Sequence, residues 1–254
     1  MTAIDRRIAV RRHTVREAGA RRRLGHILVV IGFFVVVALI ALLLQSPLMA
    51  IREIEVSGSD HANVTAALER HNVVLGVPTI SVRPGALEAE VEADPWVARA
   101  RATITWPGTV VVTVLEHEPV AWVEIGEDWY RASANGAILE QTNPSKRGPR
   151  IRLGGLSALP GDKLTGRRVL AALEFVALLP AELQRRALVT SGGSGTLAAR
   201  IQGHLVDLGR PVEMREKAAA LTAILAGGVA DRAAISLVSP VRPAIKNPQQ
   251  VVEG

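Results

Sequence analysis

The stretch RARATITWPGTVVVTVLEHEP, residues 99–119, reads as two strands and the turn that joins them. Arg99, Arg101, Thr103 and Thr105 alternate with Ala100, Ala102, Ile104 and Trp106, the period of two that gives a strand one wet and one dry face. Pro107-Gly108 suits the two central positions of a type II turn. Val110 to Leu115 then returns as a strand too apolar to be exposed on both faces. A hairpin is expected, and what precedes it decides the domain it closes.

Working backward, Ile51 to Val56 alternates and runs into the turn signal Ser57-Gly58. Ser59 or Asp60 can cap a helix in which Val64, Ala67, Leu68 and His71 recur at helical spacing, with Gly76 closing the region. Pro84 sits where a first helical turn tolerates it, Leu87 and Val91 share a face, and Pro95 ends this second, short helix. The order over 51–118 is therefore β-α-α-β-β.

Working forward, 119–140 suggests short strands around Asn135-Gly136, a strong hairpin signal, and 141–150 reads as an exposed loop. An amphipathic helix is expected over Leu164 to Leu179, with Val169, Leu173 and Val176 on one face and Pro180 as its stop. Leu197 to Ile201 and His204 to Leu208 are strands separated by Gln202-Gly203. Pro211 opens a helix carrying Met214, Ala218, Leu221 and Leu225 on its inner face, ended by Gly227-Gly228. Ala233 to Ser239 is the last strand, limited by Pro240 and Pro243, and a polar tail over 246–254 is expected to be disordered.

The net charge of +6 belongs to the head of the chain, where eight arginines, among them Arg16, Arg21, Arg22 and Arg23, face Asp5 and Glu17. The remainder is neutral, so the basic total does not indicate nucleic acid. Behind the head, Ile27 to Leu44 (ILVVIGFFVVVALIALLL) holds no charge and no proline. With its flanks it can cross a ~30 Å hydrocarbon layer. A signal peptide would have a shorter apolar core and a small-residue cleavage site, whereas Leu48-Met49-Ala50 has a large residue first. The expectation is a transmembrane helix over 27–48 and a cytoplasmic tail over 1–26, oriented by the arginines as topology signal. Most of the chain then lies outside the membrane.

Catalytic chemistry finds little footing. The chain has no cysteine, which removes disulfides, thiolate metal sites and thiol nucleophiles. His61, His71, His117 and His204 show no metal spacing. SGGSG at 191–195 matches neither a nucleophile elbow nor a phosphate loop and reads as a turn. Glu88, Glu90 and Glu92 stand two apart and do not face one another on a helix. The four tryptophans are read as core and hairpin packing. No catalytic, cofactor-binding or metal residue is assigned.

Binding remains, and a sheet edge supplies the physical means by adding a partner's strand. In the last strand Ile235, Leu237 and Ser239 point one way and Ser236 and Val238 the other. The same pattern fits an internal strand or one capped by the tail.

The Val56-Ser57-Gly58 strand end, the Trp-Pro hairpin and the segment Glu116 to Pro119 together resemble a POTRA domain. Tail, apolar run, POTRA order and the Pro119, Ala121, Trp122 run resemble the bacterial cell-division family FtsQ/DivIB, over nearly the whole chain. That resemblance implies an α+β fold: a POTRA domain at 51–118, then an FtsQ-type β-domain at 119–245 with a mainly antiparallel sheet. It implies a non-enzymatic, single-pass divisome scaffold without cofactor, in the plasma membrane at the septum. Its partners would be small bitopic coiled-coil proteins of the FtsB/DivIC and FtsL type and the septal peptidoglycan synthase complex, besides the lipid bilayer. Carried onto this sequence, the partner surface comprises Ile235, Ser236, Leu237, Val238, Ser239 and Val241. The alternatives are a membrane-anchored cell-envelope enzyme, which needs a catalytic constellation not found here, and a POTRA-type assembly factor. A barrel of the latter kind needs many further amphipathic strands with aromatic girdles, against 3% aromatic residues.

Overall fold

The computed structural model describes residues 26–42, 46, 49–145 and 147–246. The arginine-rich head, with Arg16, Arg21, Arg22 and Arg23, lies outside the described residues, as does the tail beyond Lys246. Residues 26–42 form a helix, α1, in which every residue is exposed. At ~1.5 Å per residue it is about 25 Å long. Among the described residues no helix is long and apolar enough to cross a membrane.

Next come β1 (Glu53–Ser57), α2 (Val64–Arg70), α3 (Pro84–Glu92), β2 (Val97–Thr105) and β3 (Thr109–Glu116), in the expected β-α-α-β-β order. Their three strands form one sheet in the order β1-β3-β2. Val110, Val112 and Val114 of β3 are buried, as are Ala100 and Ala102 of β2 and Leu87 and Val91 of α3. Three expectations change. Gly108 does not take the positive φ that a type II turn requires. A glycine is needed there for another reason: a Cβ would lie 2.5 Å from the Ala50 carbonyl oxygen, because the Gly108 carbonyl accepts a hydrogen bond from Arg52 N at 2.8 Å. Trp106, assigned to the dry face, is 53% exposed at the hairpin tip. The cap of α2 is Asn63, whose Oδ1 accepts from Ala66 N, because the amides beside Ser59 and Asp60 are taken by Glu116.

Gly58 explains the strand-end signature. Its φ is +78°, and a side chain would run into the carbonyl of Val114.

The rest of the chain builds a nine-stranded sheet in the order β12-β11-β10-β9-β8-β7-β4-β5-β6. Its strands are β4 (Pro119–Ile125), β5 (Asp128–Ser133), β6 (Ile138–Gln141), β7 (Arg150–Arg152), β8 (Leu188–Ser191), β9 (Leu197–Ile201), β10 (His204–Gly209), β11 (Ala234–Ser236) and β12 (Ala244–Lys246). Five of the eight neighbouring pairs are antiparallel, as expected; β4 with β7, β7 with β8 and β10 with β11 are parallel. The helices are α4 (Arg167–Ala177), α5 (Ala181–Gln184) and α6 (Met214–Ala226). Val169, Leu173, Phe175 and Val176 of α4 and Leu221 of α6 are at most 1% exposed, packed with Ile151, Val189, Ile201, Leu208 and Ile235 of the sheet. Each such side chain contributes on the order of 1.5–3 kcal/mol of burial.

By their internal contacts the residues form two compact units. The smaller draws on Met1–Glu55, Leu68–Pro84 and Ala102–Val111, the larger on Val56–Ala67, Gly85–Arg101 and Val112–Gly254.

A candidate partner-binding edge

The nine-stranded sheet has two ends, and they differ. At β6 the flanking loop occupies the backbone of the first residue and of the turn before it: Ile138 N donates to Asp162 O at 2.9 Å, Gly161 N to Ile138 O at 2.9 Å, and Leu164 N to Gly136 O at 2.8 Å. At the other end stands β12, paired on its inner side with β11 in the register Ala234 with Lys246, Ile235 with Ile245 and Ser236 with Ala244. Among the described residues no backbone hydrogen bond reaches the outer side of β12. All three of its residues are exposed.

The expected strand Ala233 to Ser239 is thus shorter, Ala234 to Ser236, and it is internal, between β10 and β12. Pro240 and Pro243 lie in the connection to β12, where Arg242 N donates to Ser239 O at 3.2 Å, so they turn the chain back. Ile235 and Leu237 are core residues, 1% and 0% exposed. Ser236 is half-buried, while Val238, Ser239 and Val241 are exposed. The residues that sequence reasoning missed are Ala244, Ile245 and Lys246. Three residues behind a proline carry no readable alternation, and by its polar sequence Lys246 reads as the start of the tail.

Register sets the chemistry of this edge. Ile245 lies in line with Ile235 and Val206, so it continues the buried row, yet it is 47% exposed because no described strand lies beyond it. On the opposite face Ala198, Leu205, Ala234, Ser236 and Ala244 line a shallow, mainly apolar trough of about 440 Å³. An added strand would find free backbone groups, one apolar row to extend and a trough for alternate side chains. The turn from β10 into α6 is pinned by Lys217, whose buried Nζ donates to Arg210 O at 2.8 Å. Burial pushes the pKa of Lys217 down, with Glu213 acting against it.

A second cluster gathers residues that the sequence left scattered. Glu116 Oε1 accepts from the backbone amides of Asp60, His61 and Ala62 at 2.8–3.0 Å, and Oε2 lies 2.9 Å from His61 Nδ1. The His61 ring stacks on Trp96 at 4.1 Å, and the Arg131 guanidinium stands 5.1 Å from the centre of Trp96. Burial raises the pKa of Glu116, but the hydrogen bonds from Ala62, His61 and Asp60 outweigh it and hold the carboxyl at about 2, against an ordinary 4.5. A depressed carboxyl stabilises the fold above its unfolded pKa and loses that contribution as pH falls toward its folded one. Glu116→Gln is therefore expected to lower stability by about 1–3 kcal/mol at pH 7, with solvent screening setting the lower figure. The gap to the parent should close between pH 4.5 and about 2 in thermal melts of the detergent-solubilised chain. A gap that stays constant across that range would contradict this assignment.

No group of three or more histidine, aspartate or glutamate side chains among the described residues is placed to hold a metal ion. Gly193–Gly195 forms a single 3-10 turn between β8 and β9, and Thr196 Oγ1 donates to Gly193 O.

Comparison with known proteins agrees with this layout. The family model for the FtsQ-type POTRA domain matches residues 49–117. The chain is 26% identical over 126 residues to the cell division protein DivIB of Geobacillus kaustophilus (strain HTA426), covering 50% of this chain and 47% of that protein. It is 25% identical over 181 residues to the cell division protein FtsQ of Mycobacterium leprae (strain Br4923), covering 71% of this chain and 52% of that protein. The chain thus spans about half the length of these relatives. The POTRA match and the two relatives lead to one placement: residues 49–117 are a POTRA domain of the FtsQ type, in a chain similar to the cell-division proteins DivIB and FtsQ.

Proposed function

We propose that this chain is a bitopic component of the bacterial division machinery, anchored by its apolar run with the arginine-rich head in the cytoplasm. It acts as a non-enzymatic scaffold at the septum, and its extracytoplasmic part takes up small membrane-anchored coiled-coil proteins of the FtsB/DivIC and FtsL type. The FtsQ-type POTRA match directly behind an apolar run carries this reading. Leu43 and Leu44 continue the run beyond α1 in the sequence, and the eight arginines before it satisfy the positive-inside bias. Partner uptake is assigned to the open side of β12, with Val238, Ser239 and Val241 flanking it and Ile235, Ser236 and Leu237 holding it in place.

The test is depletion of the protein in cells complemented by a fluorescent fusion. Mid-cell signal, with filamentation, branching or swelling on depletion, is the expected outcome. Uniform envelope signal with normal division would reject the reading and favour an anchored envelope enzyme or an assembly factor.

A further inference from the structure

Outside α1, the described residues of the smaller compact unit include four large apolar side chains in water: Leu75 is 64% exposed, Trp106 53%, Ile80 52% and Val74 39%. They are not scattered. Ile51 N donates to Val77 O and Gly76 N to Ile51 O, both at 2.8 Å, and Thr79 Oγ1 donates to Met49 O at 2.9 Å. From the hairpin side, Gly108 O accepts from Arg52 N. Residues 49–52 are therefore gripped between 76–79 and the hairpin tip, and Leu75, Ile80 and Trp106 each stand within two residues of that grip.

The gripped segment is also where the chain arrives from α1. Seven residue steps separate the end of α1 at residue 42 from Met49, a reach of at most about 25 Å. The exposed apolar side chains thus flank the segment by which the chain arrives from the apolar run, where an interfacial layer would be at hand. Tryptophan favours that layer because its ring is apolar and its N–H can stay wet. Arg83, exposed beyond the gripped stretch 76–79, carries charge that lipid phosphates attract.

We infer that Trp106, Leu75 and Ile80 dip into the interfacial layer of the lipid bilayer and seat this end of the POTRA fold on the membrane. The inference rests on the reading that the apolar run spans the membrane. A seated hairpin tip would hold the first extracytoplasmic residues at a fixed depth and leave the fold with less freedom to swing on its linker.

The experiment uses the full chain reconstituted in phosphatidylcholine and phosphatidylglycerol vesicles whose acyl chains are brominated near the headgroup. Bromine is expected to quench emission equivalent to about one of the four tryptophans. Trp106→Phe should abolish that quenching, and the double variant Leu75→Asp with Ile80→Asp should at least halve it. Carbonate extraction of the same vesicles reports separately whether the chain is integral. An integral chain with equal quenching in the parent and in Trp106→Phe would overturn the inference alone, leaving a protein partner as the cover for these side chains. A chain released by carbonate would overturn the spanning reading and this inference with it.

Discussion

Ile235→Asp is expected to unfold the larger compact unit rather than to expose a partner surface. Ile235 is 1% exposed, between Val206 of β10 and Ile245 of β12, in the same apolar cluster as Leu237, Leu208 and Leu221. Among the described residues its surroundings are a buried hydrophobic cluster, so the substitution removes an apolar side chain and buries an unpaired charge. Each change costs several kcal/mol, and more than 4 kcal/mol together is expected. That is a large part of the 5–15 kcal/mol typical of a domain. The measurement is the protease resistance and melting of the purified variant. A variant as stable as the parent would mean that β11 is not packed as described.

Ile245→Pro is expected to do the opposite: leave the fold nearly intact and remove the partner. Proline lacks the N–H that an edge strand offers and fixes φ where a ladder needs freedom. Ile245 is half-exposed at the sheet's end, so the loss to the fold itself is expected to be at most about 1–2 kcal/mol. Strand addition depends on main-chain bonds, and losing them together with the apolar contact should weaken partner binding by roughly tenfold to a hundredfold, about 1.4–2.8 kcal/mol. In cells the variant should reach mid-cell and fail to divide. Binding that matches the parent, measured with purified partners, would move the interface away from β12. The contrast between positions 235 and 245 matters because both lie on one cross-strand row and differ mainly in what covers them.

This contrast also marks how far the residues alone could be read. Elements with internal period or an explicit turn were legible: Val110, Val112 and Val114 alternate, Asn135-Gly136 turns β5 into β6, and Val169, Leu173 and Val176 line one face of α4. Strands that exist only through their neighbours were not. β7 is Arg150, Ile151 and Arg152, and only its parallel pairing with β4 and β8 makes Ile151 a fully buried residue. β8 follows the short α5 without a turn signal of its own. β12 is the same case, and it displaced the free edge from β11 by one strand. Of the residues carried onto the partner surface, Val238, Ser239 and Val241 are exposed, whereas Ile235 and Leu237 belong to the core. The cluster of His61, Trp96, Glu116 and Arg131 could not be read, because it joins positions up to 70 apart through a turn that Glu116 itself holds.

The most direct test of the proposed function, that this chain takes up its partners along its last strand, is site-specific photo-crosslinking in dividing cells. A photoreactive residue is placed at Ile245, and in a parallel strain at Gln141, on β6 at the opposite end of the sheet. The account predicts that the Ile245 probe captures a small membrane-anchored coiled-coil division protein while the Gln141 probe does not. Capture of that protein from both positions alike, or from Gln141 alone, would contradict it.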